Sequence, residues 1–346
     1  SLRGSSEIVA DRIRNEIQKR GADACIEIVE ARITYLAYAP EIAAGMLQRQ
    51  QASAIIDARK MIVDGAVGMV EMALERLNEK DVVQLEEERK AAMLARPHED
   101  VWQTSFDGLK LHATYFPAQA QPGKRKIVIC FHGYTSQGMS DYIGLSDYYQ
   151  KRGFAMLLPD ARAHGASEGE YIGFGCLDRQ DALGWIRWAV EELGEETEVL
   201  LHGTSMGAAT LLMLSGLKLP AQGKGIVSDC GFTSPKEVFT HVLHTMYHLP
   251  AFPVIPGADL VNRKLAGYGM DECNAKREVE KAEVPILFIH GGNDTFVPCS
   301  MCDEIYEHCA SPKRKLIVDG AAHAESYYKD MEGYEKALTE FIGEVM

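Results

Sequence analysis

The sequence lacks a long apolar run: no stretch approaches the roughly 18–20 residues that cross a bilayer, so no transmembrane segment is expected. It lacks a basic cluster. With 36 Lys and Arg against 50 Asp and Glu the formal net charge is −14, which disfavours binding to nucleic acid or to anionic lipid. Cysteine is sparse. Eight residues scattered over 346 are not the dense spacing of a secreted disulfide scaffold, so reduced thiols in a cytoplasmic compartment are expected. There is no internal repeat and no low-complexity tract, and no signal peptide is expected at Ser1. What is present is 46% hydrophobic and 25% charged residues, the material of a globular chain with a sizeable core.

The pattern changes character near Met93–Pro97. Before it, residues about 5–20 read as a helix. The segment ACIEIVEARITYLAY (Ala24–Tyr38) alternates apolar residues at Ile26, Ile28, Ala31 and Ile33 and reads as a β segment. One long helix is expected from Pro40 to about Asn78, with Ile62, Ala66, Met69 or Val70, Ala73 and Leu77 on one stripe and charge opposite. QLEEERKAAM continues as helix. A helix near 40 residues exceeds the usual globular length, which suggests a partner helix or an assembly. The stretches SLRGSSEIV, EARITYLAYAPEIAAGMLQRQQASAIIDARKMIVDGAVGMVEMAL and EKDVVQLEEERKAAM resemble the C-terminal half of a bacterial SPFH (band 7, flotillin/stomatin-like) protein over residues 1 to about 93. That resemblance implies a scaffold that oligomerises. Neither the other half of such a domain nor its membrane anchor is visible, so residues 1–94 are expected to be a mainly helical extension joined as a fusion, with a homo-oligomer formed through these helices.

From Val101 the rhythm is strand, turn, helix. DVWQTSFDGLKLHATYFPA reads as a hairpin about Asp107-Gly108. KIVICF, AMLLPD, EVLLHG, GIVSDC, PILFIHG and KLIVDG follow, several of them apolar at every position as buried parallel strands are. Helices are expected at Ser140–Arg152, Asp178–Leu193, Ser205–Leu219 and Cys299–Ala310, with Glu325–Met346 closing the chain. This alternation predicts an α/β fold: a doubly wound, mostly parallel sheet of about eight strands.

Gly203-Thr204-Ser205-Met206-Gly207 fits G-x-S-x-G. In that pattern a serine sits on a sharp strand-to-helix turn, and glycines two residues either side let strand and helix approach. A serine hydroxyl is a weak nucleophile at neutral pH and needs a base with an acid to orient it. His323 is the candidate base, in the short loop DGAAHAES after the last strand. Asp294, in the Gly-rich loop HGGNDTFVP, is the candidate acid, with Asp229 at the end of the preceding strand as its competitor. The N–H of Met206, at a helix N-terminus, and that of Tyr134, in FHGYTSQG, are the candidate oxyanion donors. His132 is read as structural.

With ICFHGYTSQGMSDY, LPDARAHGASEGEYIGFG, HGTSMGAAT, LFIHGGNDTFVP and GAAHAES, residues 95–346 resemble the α/β-hydrolase family, within it the bacterial S33-type esterase/aminopeptidase-like group. The resemblance implies a triad of Ser205, Asp294 and His323 and no cofactor. Where the family has Arg-Gly-His-Gly this sequence has Arg162-Ala163-His164-Gly165, in a loop that Asp160, Arg162 and His164 are expected to hold. An insertion over about 232–283 is expected to form a small helical cap. Its Phe239, Leu243, Met246 and Tyr247, with Val242, Leu249 and Phe252, are read as lining an apolar acyl pocket. His241, His244 and His248, and Cys299, Cys302, His308 and Cys309, do not match a zinc spacing, and no metal is expected. The resulting expectation is a serine hydrolase acting on small-molecule carboxylic esters with an apolar or aromatic acyl group. A peptidase or acyl-thioesterase of the same fold remains open, as does a scaffold protein carrying the hydrolase as passenger.

Overall fold

The computed structural model describes residues 6–21, 27–32, 91–118 and 125–346. The chain divides into two compact units, Ser1–Asp81 and Val82–Met346. In the first, α1 (Ser6–Gly21) occupies the expected helical stretch, with Lys19 and Arg20 in its last turn, where the helix dipole favours positive charge. The N–H of Ile28 donates to Gln18 Oε1 at 2.6 Å. Residues 27–32 form no strand, contrary to the alternation read over Ala24–Tyr38. Val29 is 83% exposed, and an alternating segment becomes a strand only where a neighbouring edge takes up its backbone hydrogen bonds. The rest of that segment and the long helix expected from Pro40 lie outside the described residues.

The second unit is built on one eight-stranded sheet, ordered β1-β2-β4-β3-β5-β6-β7-β8. Its strands are β1 (Glu99–Thr104), β2 (Lys110–Phe116), β3 (Lys126–Phe131), β4 (Phe154–Pro159), β5 (Glu198–Thr204), β6 (Gly223–Asp229), β7 (Ile286–Gly291) and β8 (Lys313–Val318). β1 and β2 form the antiparallel hairpin about Asp107-Gly108, β2 runs antiparallel to β4, and every other neighbouring pair is parallel.

The uniformly apolar strands divide their residues between two cores, because successive side chains leave opposite faces of a strand. Ile127, Ile129, Leu157, Leu201, Ile226 and Phe288 pack on one face with Trp185 of α3 (Asp178–Leu193) and Leu211 of α4 (Met206–Leu214). Val128, Met156, Leu200, Val227 and Leu287 pack on the other with Tyr142 and Tyr149 of α2 (Gly138–Lys151) and with Tyr334 and Phe341 near the C-terminus. Met93 is fully buried in this second core. At the β8 edge charged residues are paired: Arg314 with Glu340 at 2.9 Å and Lys315 with Asp303 at 2.7 Å, which suits an edge exposed to water.

Two helices differ from expectation. α4 stops at Leu214 rather than Leu219: the Ser215 hydroxyl turns back on the Leu212 carbonyl at 2.7 Å, and Gly216 follows, a residue poorly suited to continuing a helix. The closing helix is two, α9 (Ser326–Lys329) and α10 (Met331–Val345), because Asp330 caps α10 by accepting from the Gly333 N–H at 2.9 Å. The insertion between β6 and β7 carries α5 (Pro235–Tyr247), α6 (Ala251–Leu265) and α7 (Ala275–Val279), and α8 (Cys299–His308) follows β7. Among the described residues no helix is long and apolar enough to cross a membrane.

Candidate active site

β5 ends at Thr204, and Ser205 turns the chain into α4 with φ 53 and ψ −111. A non-glycine residue with positive φ is strained. It is held here by two backbone hydrogen bonds: its N–H donates to the Asp229 carbonyl at 2.8 Å, and its carbonyl accepts from the Ala209 N–H at 2.9 Å. The flanking glycines are required by close approach. A Cβ on Gly207 would lie 2.0 Å from the Phe131 carbonyl oxygen, and one on Gly203 would lie 2.5 Å from Ala208 N.

Ser205 Oγ lies 2.8 Å from His323 Nε2, and His323 Nδ1 lies 2.7 Å from Asp294 Oδ2. A carboxylate only accepts, so Nδ1 carries the proton and Nε2 offers its lone pair to the serine hydroxyl. The other Asp294 oxygen accepts from the N–H groups of Phe296 and Val297 at 2.9 and 2.8 Å. Behind the carboxylate sits His290, which was not singled out from sequence because it merely ends a buried strand. Its Nε2–H donates to the Val297 carbonyl at 2.8 Å and lies 3.4 Å from Asp294 Oδ2. Burial pushes Asp294 upward, but His290, His323 and the Val297 N–H outweigh it and hold the carboxyl well below the usual range. The same pairing overrides desolvation at His290 and lifts it to about 11. Asp229 is bonded elsewhere: it accepts from the Tyr334 hydroxyl at 3.0 Å, and burial raises it to about 6.

Tyr134 lies in the loop after β3. Gly133 N–H donates to Asp141 Oδ2 at 2.7 Å, and a Cβ on Gly133 would stand 3.4 Å from Ser205 Cβ, so this loop lies against the nucleophile. Among the described residues neither the Tyr134 nor the Met206 N–H is taken by a protein acceptor. His132 and His164 brace the loop. His132 Nδ1–H donates to the Gly133 carbonyl at 2.7 Å while Nε2 accepts from Ala161 N–H at 3.0 Å. His164 Nε2 accepts from Thr135 N–H at 3.1 Å, consistent with burial lowering that ring toward its neutral form. Arg162 grips Asp181 through two bonds of 2.8 and 2.9 Å, and Asp160 accepts from His112 at 2.8 Å.

Aromatic rings border the site. Tyr134 stacks on Phe174 at 5.2 Å, Phe174 meets Phe239 edge-on at 5.0 Å, and Phe296 lies 5.1 Å from the His323 ring. Phe174 carried no signal in the sequence, since neither periodicity nor motif marks one aromatic in a loop. Phe239 and Leu243 are half-buried, whereas Met246 and Tyr247, in the last turn of α5, are 44% and 40% exposed. His241 donates to the Thr295 carbonyl at 3.0 Å, and His244 and His248 are exposed. Cys302 and Cys309 are buried and Cys299 half-buried, while His308 pairs with Glu280 at 2.6 Å.

A strained serine turn at the C-terminal end of a central parallel strand, on a sheet of this order, defines the α/β-hydrolase class. A sequence profile described as serine aminopeptidase, S33 matches residues 122–265. The uncharacterized protein YqkD of Bacillus subtilis (strain 168) is 30% identical over 216 residues, covering 62% of this chain and 70% of that one. This chain belongs to the α/β-hydrolase family. Its fold is similar to that of the Pyrococcus furiosus esterase Pf2001, with a TM-score of 0.60 at 22% identity over 74% of this chain and 94% of that one. It is also similar to the acetyl xylan esterase from Paenibacillus sp. R4, with a TM-score of 0.54 at 16% identity over 77% and 95%.

Proposed function

We propose that this α/β hydrolase cleaves carboxylic esters through an acyl-enzyme formed on Ser205. The observation that carries the reading is the unbroken chain of hydrogen bonds from Ser205 Oγ to His323 at 2.8 Å and on to Asp294 at 2.7 Å. In the first half-reaction Oγ attacks the ester carbonyl carbon while His323 Nε2 takes the hydroxyl proton. The carbonyl oxygen gathers negative charge opposite the N–H groups of Tyr134 and Met206, the second at the N-terminus of α4. Nε2 then returns its proton to the leaving alkoxide. Water repeats the sequence against the acyl-serine. Asp294 stays ionised throughout, fixing the tautomer and favouring the imidazolium that forms.

The proposed acyl group is apolar or aromatic. Phe239 of α5, with Phe174 and Tyr134 in one ring cluster, is proposed to offer it apolar surface, and Leu243, on the same helix, is proposed to line the same pocket. Met246 and Tyr247 extend that surface toward solvent. The esterase names of two structural neighbours fit an ester substrate. The test is labelling with a fluorophosphonate probe, which is expected to mark the wild type and to miss Ser205→Ala. A panel of esters, thioesters and aminoacyl anilides then ranks the bond cleaved; preference for a charged acyl group overturns the apolar-acyl reading, and preference for the thioesters or the anilides overturns the ester reading. For residues 1–93 the proposal is self-association, following the SPFH resemblance. Light scattering decides it: a large oligomer that dissociates when residues 1–81 are deleted supports it, and a monomer in both forms refutes it.

A further inference from the structure

Among the described residues, Cys230, Asp294 and His323 form the one group in which three metal-ligating atoms converge, all within 4.8 Å of one another. Cys230 follows β6 and is fully buried, with φ +50, a backbone setting that a non-glycine residue adopts only under constraint from its surroundings. Its thiol has no part in the acyl-transfer steps. His323 is the member of the cluster nearest solvent, its side chain 24% exposed, while the side chains of Cys230 and Asp294 are buried.

A thiol, an imidazole and a carboxylate make a mixed set suited to zinc and its softer neighbours, and three protein ligands with an open fourth position are sufficient for such an ion. Bond lengths of about 2.0–2.3 Å in a tetrahedral arrangement separate ligand atoms by roughly 3.5 Å. The Asp294–His323 separation of 2.7 Å would widen, and the sulfur, within 4.8 Å of both, would close in.

We propose that these three residues bind a zinc-class divalent cation and that its binding switches the enzyme off. The ion forms bonds to Cys230 Sγ, His323 Nδ1 and one Asp294 oxygen. The thiol proton leaves to solvent. The imidazole proton, displaced from Nδ1, is carried on Nε2 instead. Nε2–H then faces Ser205 Oγ as a donor and has no lone pair for the serine proton. The cation therefore disables the base by choosing its tautomer, without touching the nucleophile. Its effect on turnover rests on the role proposed for His323; the binding itself does not.

Cadmium alone is the probe, because its bond to a thiolate gives an ultraviolet charge-transfer band. The full chain is titrated as wild type, Cys230→Ser and Ser205→Ala, with thermal melts confirming that each is folded. The other thiols give a background, so the quantity read is the difference from Cys230→Ser. One saturable equivalent is expected in wild type and in Ser205→Ala, and its loss in Cys230→Ser. Ester hydrolysis by wild type is expected to vanish in step with the band and to return on chelation, while Cys230→Ser keeps its activity in cadmium. Equal bands in wild type and Cys230→Ser, or equal inhibition of both, overturn the proposal. Should Ser205→Ala remain active, the function proposed above fails, and the difference band still decides the site. If Cys230→Ser does not fold, Cys230→Ala gives the same reading.

Discussion

Asp294 shares one carboxylate between two histidines, and the consequences for catalysis and for stability separate. Asp294→Asn keeps the shape but presents an amide to His323 Nδ1, favouring the wrong tautomer. A fall in kcat of about 10⁴-fold is expected, against about 10⁶-fold for Ser205→Ala; steady-state ester kinetics check both, and unchanged activity in Asp294→Asn would return the role to Asp229. For stability, a depressed Asp294 contributes fully above its unfolded value of about 3.9 and loses that contribution as pH falls through the folded value. His290, lifted to about 11, contributes fully below about 6.5 and progressively less as pH rises toward its folded value. The melting temperature of wild type is therefore expected to fall more steeply than that of His290→Gln between about pH 6.5 and 9. Parallel curves would show that His290 is neutral in the folded protein. Ala163 stands at φ +60 where the resembled family has glycine. Ala163→Gly is expected to stabilise by about 1 kcal/mol, read from the denaturant midpoint.

At the scale of elements, the sheet was legible because strands covered on both faces must be apolar throughout, and the turn at Ser205 because close backbone contact admits only glycine at two fixed offsets. Gly207→Ala puts its methyl against the Phe131 carbonyl, so α4 must move off β3. A lower melting temperature and loss of probe labelling are the expected outcome. The placing of Asp294 and His323 at strand ends followed from chain order. What the sequence did not reveal is what only contact creates. Cys230 meets Asp294 and His323 from another strand, Phe174 meets two rings from two other segments, and Ser215 and Asp330 end helices through single hydrogen bonds. Residues 27–32 form no strand for the converse reason: the pattern is there, and no partner edge is present among the described residues.

For the whole molecule, every residue of the proposed site belongs to the unit Val82–Met346. A chain beginning at Val82 is expected to hydrolyse esters with the kcat/KM of the full chain. One beginning at residue 95 loses Met93 from the second core, at a cost of about 2–5 kcal/mol by analogy with large-to-small core changes; thermal melts of the two truncations measure the difference. Equal melts would mean that the core closes over the gap.

The distribution of backbone strain gives the molecule a sequence of failure. Thr135, Phe174, Ser205, Cys230 and Ala324 all have positive φ, and they lie in the loops and turns about the serine, each at a cost of order 1–3 kcal/mol. The strands beneath carry the ladders and both cores. Warming should release the costly conformations first, so the enzyme goes silent while its sheet still stands, and cooling restores it without refolding the chain.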